Sequence, residues 1–447
     1  MIEAGREYSA EVMDIALPSG HGVARLGNLV VFIPGAVPGD KVRVRIGKLR
    51  NRFAYGEIVR IEEESPHRQQ PRCPHFGRCG GCDLQALPYD LQLRIKEHHL
   101  SQVLTRIAGK DLEGVAQSPI VPSVEEFFYR SKVEFSFSQA GGKAAVGLSE
   151  RLSPLRPSAG RIVPVEGCAL FSPAAAEALP LVREMIDESD LKAYDPLTGK
   201  GTLKRLVLRE AKGTGEIMMH LVAGPDVSRH LDRMKKKLLN ALPQLKSLYA
   251  TSGGGTRLLW GAPAIEEKIS GLSLRVYPLS FFQPNPRTAA ELYARILRTA
   301  GIRGTESVLG LYCGVGPIEL FLARHVKEVT GIDSSEVNIA CARENSMLNR
   351  SENCLFIRER AERAARHCSK DIDLIVIDPP RSGISSDAHL AIRGIRPEKI
   401  VYISCDPSTL ARDLRSLSQA YRPREIIPFD FFPHTAHLEV LTLLERR

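Results

Sequence analysis

From Thr288 onward the chain alternates helical and β-type segments without a break, and this rhythm constrains the fold more than any other feature. The helix AAELYARILRTAG leads to the strand SVLGLYCG, the helix PIELFLARH and the strand EVTGID. The helix SSEVNIACARENSMLN and the strand CLFIRE follow, then the apolar segments DIDLIVIDPP, KIVYISC and HLEVLTLLE. Strands joined by helical crossovers pair mostly in parallel. The expectation is therefore an α/β domain with a doubly wound sheet, whose ligands bind at the carboxyl edge of the strands.

The chain before this region has a different rhythm. Residues 1–64 read as five short strands separated by Gly and Pro turns, the pattern of a small OB-like barrel. Within it, Lys41–Arg52 holds six basic residues and no acid. On a strand, Lys41, Arg43 and Arg45 share one face and Val42, Val44 and Ile46 the other. The basic face reads either as a phosphate-contacting ridge or as an ordinary solvated surface. Residues 65–75 form a polar junction, 88–108 carry a helical apolar period, and strands return between Tyr129 and Ala223. A second junction is expected near 276–286.

The 447 residues include 61 Lys and Arg against 52 Asp and Glu, a formal charge of +9 that favours a polyanionic partner. No run approaches the roughly 20 apolar residues of a membrane helix, and the first dozen residues do not form a secretory signal. A cytoplasmic protein with no membrane partner is expected. Nine cysteines in that setting are poor candidates for disulfides.

Three features of the alternating region point to an adenosyl cofactor. The strand at Ser307 runs into Gly314-Val-Gly316, a turn that lets backbone approach a ligand. One strand later, EVTGID ends on Asp333, where an acid meets ribose hydroxyls. Asp378-Pro-Pro-Arg381 closes the strand DIDLIVIDPP. The third glycine of a dinucleotide fingerprint is missing, because Gly316 continues into Pro-Ile-Glu319.

Cys405 ends the strand KIVYISC just ahead of a helix capped by Asp406 and Pro407. A thiol at a helix N-terminus is expected to have a lowered pKa. Such a nucleophile can add to C6 of a pyrimidine and activate C5, after which a general base must remove the C5 proton. Glu439, at the mouth of the last apolar strand, is the candidate base. Elsewhere, Cys73, Cys79 and Cys82 lie within ten residues, and Cys168 offers a fourth thiol. This density suits a [4Fe–4S] cluster or zinc, with His75 as an alternative ligand.

These motifs resemble the bacterial 23S rRNA (uracil-5-)-methyltransferase family and its tRNA-acting relatives over nearly the whole chain. The most specific are the three-cysteine run with Cys168, SFFQ-x-N at 280–285, DPPRSG at 378–383, SCDPSTLARDL at 404–414 and FPHTAHLE at 432–439. The resemblance implies an N-terminal TRAM domain over 1–66, an α+β iron–sulfur central domain over 67–275 and a Rossmann-like S-adenosylmethionine-dependent domain over 276–447. It implies Cys405 as nucleophile and Glu439 as proton acceptor. Gln283, Tyr312, Asp333 and Asp378 become cofactor contacts, and Cys73, Cys79, Cys82 and Cys168 hold a [4Fe–4S] cluster. The helix near 88–108 is expected to pack against the catalytic domain. A monomer acting on RNA is expected, 23S rRNA ahead of a tRNA T-loop, with a non-catalytic RNA-binding protein as the contrasting reading. Three positions depart from the family pattern: Gly310 where the strand usually carries Asp, Pro317 in place of Asn, and Asp406 in place of Asn.

Overall fold

The computed structural model describes residues 2–140, 143–152, 161–224, 227–368 and 371–447. The N-terminal strands Glu7–Ala16, His21–Leu26, Leu29–Pro34, Lys41–Leu49 and Phe53–Glu63 close into a barrel. Its core follows the two-residue period: Val42, Val44 and Ile46 are fully buried, and the bases between them face outward. Those bases do not form a free ridge. Lys41 pairs with Glu63 at 2.8 Å, Arg43 with Glu62 at 3.1 Å and Arg45 with Glu7 at 2.7 Å. The ladder register sets Lys41 opposite Glu63 and Arg45 opposite Glu7, so acids distant in sequence neutralise the first three of the six bases.

The middle of the chain forms a seven-stranded sheet between the edge strands Gly255–Gly261 and Ile162–Pro164. The helices Ala174–Asp187 and Val227–Ala241 share one apolar core with it.

The third sheet has eight strands. In spatial order they are Cys354–Arg358, Glu328–Asp333, Ser307–Leu311, Leu374–Ile377, Lys399–Ser404, Glu439–Arg446, Tyr421–Phe429 and Ala116–Gln117. The first five are parallel. Chain order runs outward from Ser307–Leu311 in one direction, then returns to its other side at Leu374–Ile377. This reversal makes a switch point, where the crossovers leave opposite faces and a crevice opens at the carboxyl ends. Glu439–Arg446 then inserts antiparallel beside Lys399–Ser404. Tyr421–Phe429, interrupted by Pro423 and Pro428, was not expected as a strand, nor was the two-residue edge piece Ala116–Gln117.

The early helix Tyr89–Ile107 belongs by packing to this sheet. Leu100, Val103 and Leu104 share a core with Leu410 and Leu414 of the helix Pro407–Leu417. Lys96, fully buried, donates to Asp430 at 2.7 Å and to the Phe432 carbonyl at 3.1 Å. Removing one partner of such a pair costs about 3–5 kcal/mol because the other charge stays buried. This contact anchors the loop 430–438 that leads to Glu439. The hairpin Ile265–Ile269 and Leu272–Val276 likewise packs with the helix Pro286–Ala300.

Candidate active site

The parallel strands deliver three groups of side chains to one edge. Ser307–Leu311 ends at Tyr312, which turns with φ 62°, a left-handed conformation that L side chains adopt only under constraint. Gly316, φ 81°, then caps the helix Pro317–Leu322, and a Cβ there would strike the Phe356 ring. Asp333 secures this turn. Its carboxylate accepts from Gly314 N at 3.0 Å, Ser335 N at 2.8 Å and Asn338 Nδ2 at 3.3 Å.

Gln283 donates through Nε2 to Asp378 at 3.0 Å, joining the 280–285 run to the DPP turn. Phe281, Gln283, Tyr312, Gly314, Glu319 and Asp378 line a single narrow pocket at the switch point. The loop after Asp378 is held from below. Asp413, almost fully buried, accepts from Ile384 N at 3.0 Å and Tyr402 Oη at 2.7 Å, and Arg412 donates to the Ser382 carbonyl at 2.8 Å.

Cys405 and Glu439 meet across a strand pair. The antiparallel register ends with Ser404 opposite Val440, so the next step sets Cys405 against Glu439. Asp378 is near enough to raise the pKa of both. Burial pushes the Asp378 carboxyl up to about 7. Burial, then the charge of Asp378, drives Glu439 well above the carboxylate range.

The thiol does not behave as its helix position suggested. Burial, then Glu439 and Asp378, push Cys405 up to about 12 rather than down. Asp406 caps the helix that follows. Its Oδ1 accepts from both Ser408 N and Thr409 N at 2.9 Å, so the positive end of the helix is already satisfied by a carboxylate. The resting thiol is protonated.

Below this edge opens a cleft of about 630 Å³ between the central and catalytic sheets. Arg130, Lys132, Arg205, Arg209 and Arg381 line it, with Glu134 as its acid. Phe281, 57% exposed, and Phe432 add aromatic faces. Apart from Arg381 in the DPPRSG run, these bases were not singled out in the sequence. Lys132, Arg205 and Arg209 come from strands whose alternation puts every second residue on the cleft side, and Arg130 precedes the strand Lys132–Ala140.

Cys73, Cys79, Cys82 and Cys168 come together around a second cavity of about 60 Å³. All four are free thiols. Gly81 N approaches Cys79 Sγ at 3.4 Å and Gln85 Nε2 approaches Cys82 Sγ at 3.1 Å. Burial raises Cys73 and Cys79 and pushes Cys82 up to about 12. Among the described residues no group of three or more His, Cys, Asp or Glu is arranged to hold a metal ion, so the expected zinc or iron ligand set is not shown. Arg130 borders both this cavity and the cleft.

Comparison with known proteins matches this architecture. Residues 266–447 match the family model described as tRNA (Uracil-5-)-methyltransferase, and residues 3–59 match the TRAM domain. An uncharacterised RNA methyltransferase of Clostridium acetobutylicum is 34% identical over 458 aligned positions, covering 100% of this chain and 98% of the relative. One from Caldanaerobacter subterraneus is also 34% identical, covering 100% and 99%. The crystal structure of Pyrococcus abyssi tRNA (uracil-54, C5)-methyltransferase in complex with S-adenosyl-L-homocysteine superposes with a TM-score of 0.76. It is 27% identical and covers 97% of this chain and 99% of its own. The chain belongs to the RNA (uracil-5-)-methyltransferase family, with a TRAM barrel ahead of a fold that transfers a methyl group from S-adenosylmethionine to C5 of uracil in RNA.

Proposed function

We propose that this chain methylates C5 of a uridine in 23S rRNA through a covalent Cys405–C6 adduct, in the cytoplasm. The observation that carries the reading is the juxtaposition of Cys405 and Glu439 beside the pocket bearing Gln283, Tyr312, Gly314 and Asp378. Asp333, which fixes the Gly314 turn, is the ribose contact in this reading.

Uracil C5 is a weak nucleophile until C6 is saturated. Cys405 gives its thiol proton to solvent as Sγ bonds to C6, and the C5=C6 electrons move toward the C4 oxygen. S-adenosylmethionine, held by the pocket of Gln283, Tyr312, Gly314 and Asp378, would supply the methyl group that C5 takes, with S-adenosylhomocysteine as the leaving thioether. Glu439, once its own proton has passed to solvent, takes the C5 proton. The electrons of that C–H bond restore C5=C6, and the C6–S bond breaks to return the thiolate. A carboxyl with a raised pKa is a stronger proton acceptor once ionised, which suits this step. The cleft bases accept the phosphates, and Phe281 and Phe432 offer stacking faces for unpaired bases.

The tRNA reading has an observation of its own: the Pyrococcus abyssi tRNA enzyme matches 97% of this chain, barrel included. Labelled S-adenosylmethionine offered with separate pools of unmodified 23S rRNA and tRNA distinguishes the two. 5-Methyluridine in the 23S pool supports the proposal; label confined to tRNA replaces it with T-loop methylation.

In this reading the four-cysteine cavity is the site of a [4Fe–4S] cluster, because four thiols lining one space are the donor set such a cluster takes. Cys73, Cys79, Cys82 and Cys168 would hold the cluster, which supplies cross-linking of 73–82 to 168. Anaerobically purified protein is expected to carry about four irons with charge-transfer absorbance; iron-free, colourless and folded protein would refute this assignment.

A further inference from the structure

Gly310 and Glu319 occupy one space between them. Gly310 sits in the buried strand Ser307–Leu311, paired with Gly331 on one side and Val376 on the other. A Cβ placed on Gly310 would overlap the Glu319 carboxyl, with its Cδ only 2.8 Å away. Glu319 projects from the first turn of the helix Pro317–Leu322 and is 3% exposed. Its Oε2 is buried with no hydrogen-bond partner. A buried carboxyl oxygen left unpaired is costly, and a fold retains one where a ligand will meet it.

The surroundings specify the ligand's charge. Glu319 and Asp378 line the pocket, and among the described residues no Lys or Arg lines it. Burial first, then Asp378 and Asp333, push Glu319 up to about 8, so no protein cation compensates it. Tyr293, whose buried Oη is also unpaired, and Cys313 and Cys354 all feel its charge. An acid-lined pocket without a base accepts a cation. S-adenosylmethionine carries two, its sulfonium and its α-ammonium. The sulfonium belongs at the reacting edge, where Asp378 acts on Cys405 and Glu439. The Glu319 carboxyl lies over Gly310, which pairs with Val376, two residues short of Asp378 along the parallel strands, so it sits deeper in the pocket than the reacting edge.

We propose that Glu319 receives the α-ammonium group of S-adenosylmethionine, delivering from the helix a carboxyl that the strand at Gly310 does not carry. The assignment rests on the reading of this pocket as the cofactor site, and the test separates the two.

Full-length protein is titrated calorimetrically with S-adenosylhomocysteine and with 5′-methylthioadenosine, which keeps the nucleoside and thioether but lacks the amino acid. Glu319→Gln is expected to weaken S-adenosylhomocysteine about 10–100-fold, as for loss of a charge-assisted hydrogen bond, and to leave methylthioadenosine unchanged. Equal losses for both ligands, or no loss for either, would overturn the assignment. Should Glu319→Gln fail to fold, Gly310→Asp/Glu319→Ser decides, because it keeps one carboxyl in the same space. Binding at least tenfold tighter than Glu319→Ser supports the proposal; equal binding overturns it. Wild-type protein that binds neither ligand would strike the pocket reading itself.

Discussion

The barrel and the cleft are both rich in bases, yet they differ in what those bases face. On the barrel, Lys41, Arg43 and Arg45 each have a carboxylate partner from a neighbouring strand. In the cleft, Lys132 and Arg205 share one partner, Glu134, and Arg209 donates to the Ser280 carbonyl instead of to an acid. Exposed pairs such as Lys41–Glu63 contribute only about 0–1 kcal/mol. Their effect is on the field, because they cancel a surplus that the cleft retains. Charge density along a sequence is therefore a poor guide to a nucleic-acid surface unless strand pairing is known.

The largest expected effect lies where the cleft meets the sheet edge. Cys405→Ala should lower methyl transfer by roughly 10⁴-fold or more in a single-turnover assay, because no other group can saturate C6. Residual activity within tenfold of wild type would remove the covalent step. Next comes the resting state of that thiol. Alkylation of Cys405, followed by peptide mapping in the RNA-free enzyme, should be slow at pH 7. It should rise about tenfold per pH unit through pH 9, since only the thiolate reacts. A rate already flat at pH 7 would mean that the helix dipole prevails over the carboxylates.

The cleft and barrel can then be set against each other directly. Lys132→Ala/Arg205→Ala should weaken RNA binding about 10–100-fold and reduce the salt slope by about 0.7 for each phosphate that is no longer neutralised. The matched pair Lys41→Ala/Arg43→Ala should change affinity less than about threefold, because each base already has an acid partner. If the barrel variant binds more weakly than the cleft variant, the comparison is reversed and the ridge reading of the sequence is restored.

The catalytic half was the more legible because its information is local. Helix and strand periods alternate, Asp406 and Pro407 announce a helix start, and Asp333 and Asp378 stand at strand ends. The structure brings Gln283, Tyr312, Gly314, Asp378, Cys405 and Glu439 to one edge as the motifs suggested. What the sequence concealed depends on partners across sheets. Tyr421–Phe429 is a strand despite two prolines, because Glu439–Arg446 supplies its ladder. The direction of the Cys405 shift was hidden because it depends on burial and on Glu439, which lies far along the chain. Glu319 carries no local mark in the sequence, since the room for its carboxyl comes from the missing side chain at Gly310. The cleft bases are scattered singly along the chain from Arg130 to Arg381, with no run to mark them.

In the proposed mechanism Cys405 forms the adduct and Glu439 releases it, and a stalled intermediate separates the two roles. Glu439→Gln protein is incubated with S-adenosylmethionine and unmodified substrate RNA, digested with nuclease and protease, and analysed by mass. A methylated uridine nucleotide covalently attached to the peptide containing Cys405 is expected, because methyl transfer proceeds and elimination does not. Free 5-methyluridine released at the wild-type rate, with no adduct on Cys405, would contradict it.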